Sequence, residues 1–326
     1  MLISIVIPCY RSSKTLPAVT AEIKSAFAAH PEHDYQLILV NDSPMDYDTC
    51  RTIRELCEQD PKITGIDLAR NHGQARARMA ALPYIQGDCA VYMDDDGQHP
   101  AYGIFSLVEK LNEGYDVVYA KFAKNKNSWF KRTTSRMYRK FLEMLGVRPK
   151  GVASSSFVAW SRFSVDALKN YHSPTPASGT YLMNVTSRIA DVPMEHRQRI
   201  AGKSGYSLAK LFNLALTGIT NFTSIPLRAS AVLGIGIAAV GFLYGLILVI
   251  RKLINPSIVL GYTSLMVVML LLGGVILIAL GLFGEYIGSI YMILSDMPQY
   301  TIREVIHKEA MEEQKEEQLV ESHGTK

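Results

Sequence analysis

Two long stretches without a charged side chain dominate the C-terminal part of the sequence. They cover residues 229–250 and 253–284, which are 22 and 32 residues. A helix needs about 20 apolar residues to cross the hydrocarbon core of a bilayer. Two membrane-spanning helices, at about residues 229–252 and 262–285, are therefore the simplest interpretation. Two buried core helices are the alternative, and stretches of this length disfavour it.

The N-terminal part of the sequence carries no signature of export. Its first residues, MLISIVIPCY, contain no basic segment, and Pro8 interrupts the apolar run. We therefore expect residues 1–204 to form a cytoplasmic domain. Two spans then return residues 297–326 to the cytoplasm as a tail. The highly charged residues 307–326 indicate that the end of this tail is a frayed helix or disordered.

Residues 205–227, just before the first apolar stretch, show helical spacing of apolar side chains. One stripe would contain Leu208, Leu211, Phe212, Ala215, Ile219 and Phe222. Next to a membrane span, this pattern predicts an amphipathic helix that lies in the membrane interface. A core helix of the soluble domain is the alternative.

The first 120 residues alternate between strand and helix patterns. Five short apolar runs, LISIVIP, YQLILVND, KITGIDLA, CAVYMDD and YDVVYAK, are separated by four segments with helical spacing. Such alternation predicts an α/β domain with a Rossmann-like, mostly parallel sheet. In such sheets ligands bind beyond the carboxyl ends of the strands.

Three adjacent carboxylates, Asp94, Asp95 and Asp96, follow the fourth of these strands. Adjacent like charges repel, so a ligand that neutralises them is expected there. Side chains two positions apart face the same way on an extended chain, which groups Asp94 and Asp96 with Gln98. Oxygen ligands of this kind suit Mg²⁺ or Mn²⁺ shared with substrate phosphates. Two aspartates at this spacing are common in surface loops, so the position after a core strand carries the argument.

The overall charge and the cysteines exclude some classes of function. The net charge is +4, and the basic residues form no nucleic-acid stripe, so no nucleic-acid partner is expected. Residues 121–140 are locally basic. We expect this segment to face anionic headgroups or a phosphate, and a solvated helix face is the alternative. The four cysteines include no CxxC pair, which indicates reduced structural thiols.

Several of these motifs together carry a family resemblance. They occur in one order from residue 4 to about residue 305: SIVIPCY, LVND, RNHGQARA, DDDGQHP, GYDVVYAK, NSWFKRTTSRMYRK, RIAGKSGYSLAKL, TSIPLR and GLFGEYIGSIY. The chain resembles the family-2 glycosyltransferases, which have the GT-A fold. More narrowly, it is similar to the polyprenyl-phosphate sugar transferases, such as the dolichol-phosphate mannose synthases, the bactoprenol glucosyltransferases and the undecaprenyl-phosphate 4-formamido-arabinose transferases.

The resemblance implies a donor site made of residues at the strand ends. The nucleotide-binding residues it implies are Pro8, Tyr10, Asp42, Asp94 and Lys121. The metal ligands it implies are Asp94, Asp96 and Gln98, which would hold Mg²⁺ or Mn²⁺ and, through it, the diphosphate. Asp96 is also a catalytic residue in this assignment. A packed aromatic side chain is the plain alternative for Tyr10.

The resemblance also implies a site for the phosphate of the acceptor. Its residues are Arg132, Arg136, Arg199 and Ser204, and Arg199 has a second, catalytic role. Gly202 and Tyr206 shape the loop of Arg199. A surface arginine is the alternative for Arg199, and a solvated helix face is the alternative for Arg132 and Arg136.

Four positions depart from the family pattern. Arg11 and Ser12 replace Asn-Glu after the tyrosine, and Lys121 replaces an arginine, which keeps the charge but not the planar fork. Val152, followed by Ser154, Ser155 and Ser156, stands where relatives carry an aspartate discussed as a catalytic base. A phosphate acceptor has a second pKa of about 6 and is largely dianionic at neutral pH, so it needs no base. An unusual donor sugar is the alternative reason for the substitution.

The sequence therefore predicts an inverting glycosyltransferase of a bacterial cytoplasmic membrane, active in cell-envelope glycan or lipid modification. It would move a sugar from a nucleotide diphosphate sugar, with UDP favoured, to undecaprenyl phosphate at the cytoplasmic face, and the resemblance implies a homo-oligomer. One alternative is a related transferase with another membrane glycolipid as acceptor. The other is a catalytically weak scaffold of a glycan assembly complex, which the intact set Asp94, Asp96 and Gln98 disfavours.

Overall fold

The structure, a computed structural model, describes residues 1–122, 152, 155–171, 178–195, 197, 225–255, 262–295 and 298–307. The chain forms two compact units. The first contains Met1–Gly205 together with Met297–Lys326, and the second contains Tyr206–Asp296.

The N-terminal part of the first unit alternates between strands and helices. Its strands are β1 (Leu2–Cys9), β2 (Asp34–Asn41), β3 (Ile63–Leu68), β4 (Cys89–Tyr92) and β5 (Val117–Phe122). Its helices are α1 (Leu16–Ala28), α2 (Tyr47–Gln59), α3 (Gln74–Ala81) and α4 (Gly103–Asn112), and a 3₁₀ turn (Leu82–Tyr84) follows α3. The predicted alternation is confirmed.

Further elements extend this sheet beyond the predicted strands. They are β6 (Val158–Ser161), α5 (Arg162–Lys169), α6 (Ser178–Val185), β7 (Ile189–Met194) and β8 (Ile302–Ile306). The sheet has eight strands in the order β7-β5-β6-β4-β1-β2-β3-β8. Only β6 and β8 run antiparallel to their neighbours among the described strands. The expected mostly parallel α/β architecture is therefore confirmed, as a mixed sheet.

Apolar side chains cover both faces of this sheet. Ile5 and Ile7 of β1 join a buried cluster with side chains of α1, α2 and α4. Val6, which points the other way, joins a second cluster with side chains of α3 and α5. A strand that is buried on both faces needs a continuous apolar run, which explains the composition of β1.

The two antiparallel strands bring their amino ends to the carboxyl edge of the parallel strands. Phe157 directly precedes β6, and Thr301 directly precedes β8. Residues that are distant in sequence therefore meet the loops that follow β3 and β4.

Strand β8 corrects the expectation that residues 297–326 form only a tail. Ile302–Ile306 pairs with β3, and Ile306 is buried. The strand is short and its partner lies more than 230 residues away, so no local pattern marks it. The segment expected to be frayed or disordered lies, after its first residue, outside the described part of the chain.

The second unit contains two long helices, α7 (Ile225–Ile254) and α8 (Tyr262–Leu294). At about 1.5 Å per residue they extend about 45 and 50 Å. Both are long and apolar enough to cross a membrane, over Ser230–Ile247 and Leu272–Leu294, and neither stretch is buried. Helix α8 continues past Glu285, so the predicted span end at residue 285 stays a prediction. The predicted amphipathic helix lies outside the described residues, except for its last three, which begin α7.

Candidate functional site

The three carboxylates after β4 have different surroundings, and Asp95 contacts the loop that follows β1. Its Oδ2 atom accepts hydrogen bonds from the backbone N–H of Tyr10, over 3.0 Å, and from the hydroxyl of Ser12. Burial raises the pKa of Asp95, and these hydrogen bonds act in the opposite direction. Asp95 therefore ties the loop after β1 to the loop after β4.

Asp94 lies among donors from α3 and from the start of β6. Its Oδ2 atom accepts a hydrogen bond of 2.6 Å from the hydroxyl of Ser156. Its Oδ1 atom accepts from the amide of Gln74 and, over 3.4 Å, from the guanidinium of Arg78. Arg78 also donates to the carbonyl oxygen of Ser156, over 2.9 Å. The Asp94 carboxylate thus has a defined direction and a neighbouring positive charge.

His99 closes the loop that contains the carboxylates. Its Nδ1 atom accepts a hydrogen bond of 2.9 Å from the backbone N–H of Asp94. The buried imidazole stacks between Phe122 and Phe157, at centroid distances of 5.6 and 4.9 Å. Because Nδ1 accepts, the proton of the neutral ring is on Nε2, which lies 3.5 Å from the Ser156 hydroxyl. His99 therefore holds the backbone of Asp94 in place.

Asp96 and Gln98 complete the loop. Gly97 between them has a φ of +73°, a conformation that favours glycine. The backbone N–H of Gln98 donates to Oδ1 of Asp96 over 3.1 Å, and the Gln98 amide donates to the carbonyl oxygen of Arg197 over 3.2 Å. Asp94 and Asp96 are both partly exposed.

The side chains of this loop suit a divalent cation only if a substrate supplies further metal ligands. Within the described ranges, no three His, Cys, Asp or Glu side chains come together as a metal-binding group. Two partly exposed carboxylates at a strand end do suit a hard cation that takes its other ligands from phosphate and water. Asp94 and Asp96 therefore fit Mg²⁺ or Mn²⁺ shared with a diphosphate.

Asp42, at the end of β2, is held by the loop that follows β3. Its Oδ1 accepts from the backbone N–H of His72 over 2.6 Å, and its Oδ2 from that of Gly73 over 2.8 Å. Burial raises the pKa of Asp42, against the effect of these two hydrogen bonds. The amide of Asn71 donates to the carbonyl oxygen of Asp42, over 3.0 Å. The loop thus fixes the orientation of Asp42 at the carboxyl edge.

The other residues predicted to bind the nucleotide differ in their burial and contacts. Pro8 is buried within β1 and pairs with Val40. Tyr10 is 54% exposed, with the guanidinium of Arg11 5.5 Å from its ring centre. Lys121 forms an ion pair with Asp191 across β5 and β7, at 3.0 Å and 3.2 Å from the two carboxylate oxygens.

The predicted acceptor site lies outside the described residues. Its members are Arg132, Arg136, Arg199 and Ser204, with Gly202 and Tyr206 in the same loop as Arg199. Val152 is partly buried and packs against the apolar cluster on the α3 face of the sheet. The position where the resemblance implies a carboxylate base therefore has an apolar side chain in an apolar contact.

The sequence analysis gave no role beside Asp94 to four residues that surround it: Gln74, Arg78, His99 and Ser156, of which only Ser156 had been singled out, as one of the serines after Val152. Gln74 and Arg78 lie four positions apart on α3, so they share one helix face, which is a readable signal. Ser156 is brought to Asp94 only by the antiparallel strand β6.

Comparisons with known proteins identify the family. The family model described as "Glycosyl transferase family 2" matches residues 4–168, about half of the chain. The protein called uncharacterized glycosyltransferase YkcC, from Bacillus subtilis, is 33% identical over 301 residues, which cover 92% of this chain and 93% of that protein. The undecaprenyl-phosphate 4-deoxy-4-formamido-L-arabinose transferase of Klebsiella pneumoniae is 32% identical over 309 residues, 94% of each chain.

Among solved structures, glucosyl-3-phosphoglycerate synthase from Mycobacterium tuberculosis matches with a TM-score of 0.48 and 20% identity, covering 68% of this chain and 79% of that one. The sequence relatives, in contrast, match at about a third identity and nearly from end to end. Since the family model and these relatives agree, the chain belongs to glycosyl transferase family 2.

Proposed function

We propose that this glycosyltransferase moves a sugar from a UDP-sugar to undecaprenyl phosphate at the cytoplasmic face of a bacterial membrane. The observation that carries the proposal is the loop of Asp94 and Asp96, which lies at the same carboxyl edge of the sheet as Asp42. The Klebsiella relative, named an undecaprenyl-phosphate sugar transferase, matches along 94% of this chain, which supports the choice of acceptor.

In this proposal the donor binds at the carboxyl edge. Asp94 and Asp96, with Gln98, would hold Mg²⁺ or Mn²⁺ beside the diphosphate, and such an ion would supply positive charge to the leaving nucleoside diphosphate. Arg78 and Ser156 keep Asp94 directed, while Asp42 and the exposed ring of Tyr10 bind the nucleoside. Lys121, which pairs with Asp191, contributes positive charge near this edge only if that pair opens.

The nucleophile in this proposal is a phosphate oxygen of the acceptor. It forms a bond to the anomeric carbon while the bond from that carbon to the diphosphate oxygen breaks on the opposite face, which inverts the configuration. No proton has to leave a dianionic phosphate, so the protein needs only to position it and to exclude water. The apolar packing of Val152 supports a reaction without a carboxylate base at that position. Arg132, Arg136, Arg199 and Ser204 remain the proposed ligands of the acceptor phosphate.

The path of the chain supports the proposed topology. Strand β8 follows α8 and pairs with β3, so residues 302–306 must be on the same side of the membrane as residues 1–122. Only an even number of crossings satisfies this condition. Two crossings, by α7 and α8, satisfy it and place the link near Asn255 on the opposite side. We further propose that the catalytic domain is cytoplasmic and that the chain assembles as a homo-oligomer.

A donor screen tests the function. Purified protein in lipid nanodiscs is incubated with undecaprenyl phosphate, Mn²⁺ and a panel of radiolabelled UDP- and GDP-sugars. We expect one UDP-sugar to label the lipid fraction only when undecaprenyl phosphate is present. Labelling of an acceptor that offers only a hydroxyl, such as undecaprenol, in place of undecaprenyl phosphate would contradict the proposal. Size-exclusion chromatography with light scattering tests the oligomer.

A further inference from the structure

The segment that follows α8 is fitted into the sheet of the first unit. We call residues 298–307 the C-terminal strap. Gly65 of β3 lies opposite Ile306 of the strap. A Cβ atom on Gly65 would lie 2.6 Å from Cγ2 of Ile53 and 3.2 Å from Cβ of Ile306. The glycine therefore leaves the room that Ile306 needs to pack.

A charged contact holds the middle of the strap. Arg54 of α2 forms an ion pair with Glu304, and both side chains are partly buried. At the far end, the hydroxyl of Thr64 lies 3.3 Å from Nδ1 of His307. The strap is thus attached along its length to α2 and β3.

The amino end of the strap holds the loop that follows β3. The carbonyl oxygen of Thr301 accepts a hydrogen bond of 2.9 Å from the backbone N–H of Ala69. The backbone N–H of Thr301 donates to Nε2 of His72, over 3.2 Å. Arg303 adds a contact of 3.3 Å from its guanidinium to the carbonyl oxygen of Ala69. Thr301 therefore contacts both ends of the segment 69–72.

His72 connects this strap to the carboxylate of Asp42. Its side chain accepts from Thr301, while its backbone N–H donates to Oδ1 of Asp42 over 2.6 Å. Burial, and next the charge of Arg70, lower the pKa of His72, so its ring is neutral at neutral pH. A neutral ring with the proton on Nδ1 keeps Nε2 available as the acceptor. One residue thus fixes the strap on one side and the proposed nucleoside ligand on the other.

We propose that His72 is a positioning residue through which the C-terminal strap sets the affinity of the donor site. This inference rests on the proposed function, in which Asp42 binds the nucleoside of the donor. Loss of the contact between Thr301 and His72 loosens residues 70–73, and the two backbone donors of Asp42 lose their alignment. Because the strap directly follows α8, donor binding depends on the segment that leaves the membrane.

The test measures UDP binding by calorimetry, and the donor KM and kcat, on the full chain in nanodiscs with Mn²⁺. His72→Leu removes the acceptor, and Thr301→Pro removes the donor N–H. Each variant is expected to bind UDP about three- to tenfold more weakly, as for the loss of one hydrogen bond, and to raise KM with little change in kcat. The double variant should bind no more weakly than either single variant.

Two further variants serve as controls. His72→Gln places an amide oxygen near the position of Nε2 and should restore most of the affinity. Thr64→Val disturbs the opposite end of the strap and should bind UDP as the wild type does. Wild-type protein that binds neither UDP nor GDP would contradict the proposed function and this inference with it. An unchanged UDP affinity in His72→Leu, or losses that add in the double variant, would overturn the inference alone.

Discussion

The hydroxyl of Ser156 donates a hydrogen bond of 2.6 Å to Oδ2 of Asp94, across 62 positions of the sequence. The contact exists because β6 runs antiparallel and brings its amino end to the loop after β4. A carboxylate that is directed by a neighbouring donor is oriented before its ligand arrives, which reduces the cost of binding.

Replacing Ser156 with alanine should weaken metal activation. Residues that orient a metal ligand typically contribute a factor of about 10 in metal affinity, so Ser156→Ala should need about tenfold more Mn²⁺ for half-maximal rate. The kcat at saturating Mn²⁺ should change little. Titration of the initial rate with Mn²⁺ measures both quantities. Ser156→Thr retains the hydroxyl and is the matched control. Equal activation curves for Ser156→Ala and wild type would contradict the role of Ser156 in orienting Asp94.

Asp96→Asn should keep the fold and lose most of the turnover, on the order of 100-fold or more, since the leaving diphosphate is no longer neutralised. Wild-type activity should also stop in EDTA and return with Mg²⁺ or Mn²⁺. Circular dichroism checks the fold of the variant.

Asp95→Asn is the matched control for the change at Asp96. Asp95 accepts hydrogen bonds from Tyr10 and Ser12 of the loop after β1, so this variant should lower the melting temperature yet keep the metal requirement. Full activity of Asp96→Asn in EDTA would refute the assignment of the metal ligands.

The pH dependence of the rate should follow the ionisation of the acceptor phosphate and not that of a side chain at position 152. The rate is expected to fall as the pH drops below about 6, because the phosphate gains a proton and is a weaker nucleophile. Val152→Asp should give no gain, since Val152 packs against an apolar cluster and a carboxylate there loses solvation. Profiles of kcat/KM against pH for both proteins test this. A large rate increase in the variant would show that the reaction benefits from a protein base and would contradict this prediction.

The link between α7 and α8 should be accessible from outside intact cells. A membrane-impermeant maleimide is expected to label Ser257→Cys, whereas Arg303→Cys, exposed on β8, should be labelled only after lysis. Burial raises the pKa of Cys57 and Cys89 to about 12, so these native thiols stay protonated and react little. Extraction of the protein by a carbonate wash, or labelling of Arg303→Cys in intact cells, would contradict the topology.

The regular part of the fold is predictable because its signals are local. Strands β1 to β5 are mainly apolar runs, and every connection to a neighbouring helix except the one between β1 and α1 contains glycine, proline or aspartate. Strand β6 has four residues and inserts between β4 and β5, which are consecutive in the sequence analysis. Nothing in the residues Val158–Ser161 reveals that position, because it depends on partners in other segments.

The candidate site is also predictable only where its signals are local. The position of Asp94 and Asp96 after a core strand can be read from the sequence, and so can the shared face of Gln74 and Arg78. The contact of Asp94 with Gln74 and Arg78 depends on how α3 packs on the sheet, which no spacing in the sequence encodes. Lys121 was assigned to the nucleotide by resemblance, and its ion pair with Asp191 depends on the pairing of β5 with β7.

Strand β8 also protects the sheet from unwanted association. A fragment that ends at residue 204 lacks it, so one side of β3 would present unpaired backbone groups to other chains. An exposed edge strand can pair with other chains and cause aggregation. Ile66 and Leu68 would make the exposed edge of β3 apolar. A soluble form of the catalytic domain should therefore carry residues 298–307, rejoined by a flexible linker in place of the two long helices.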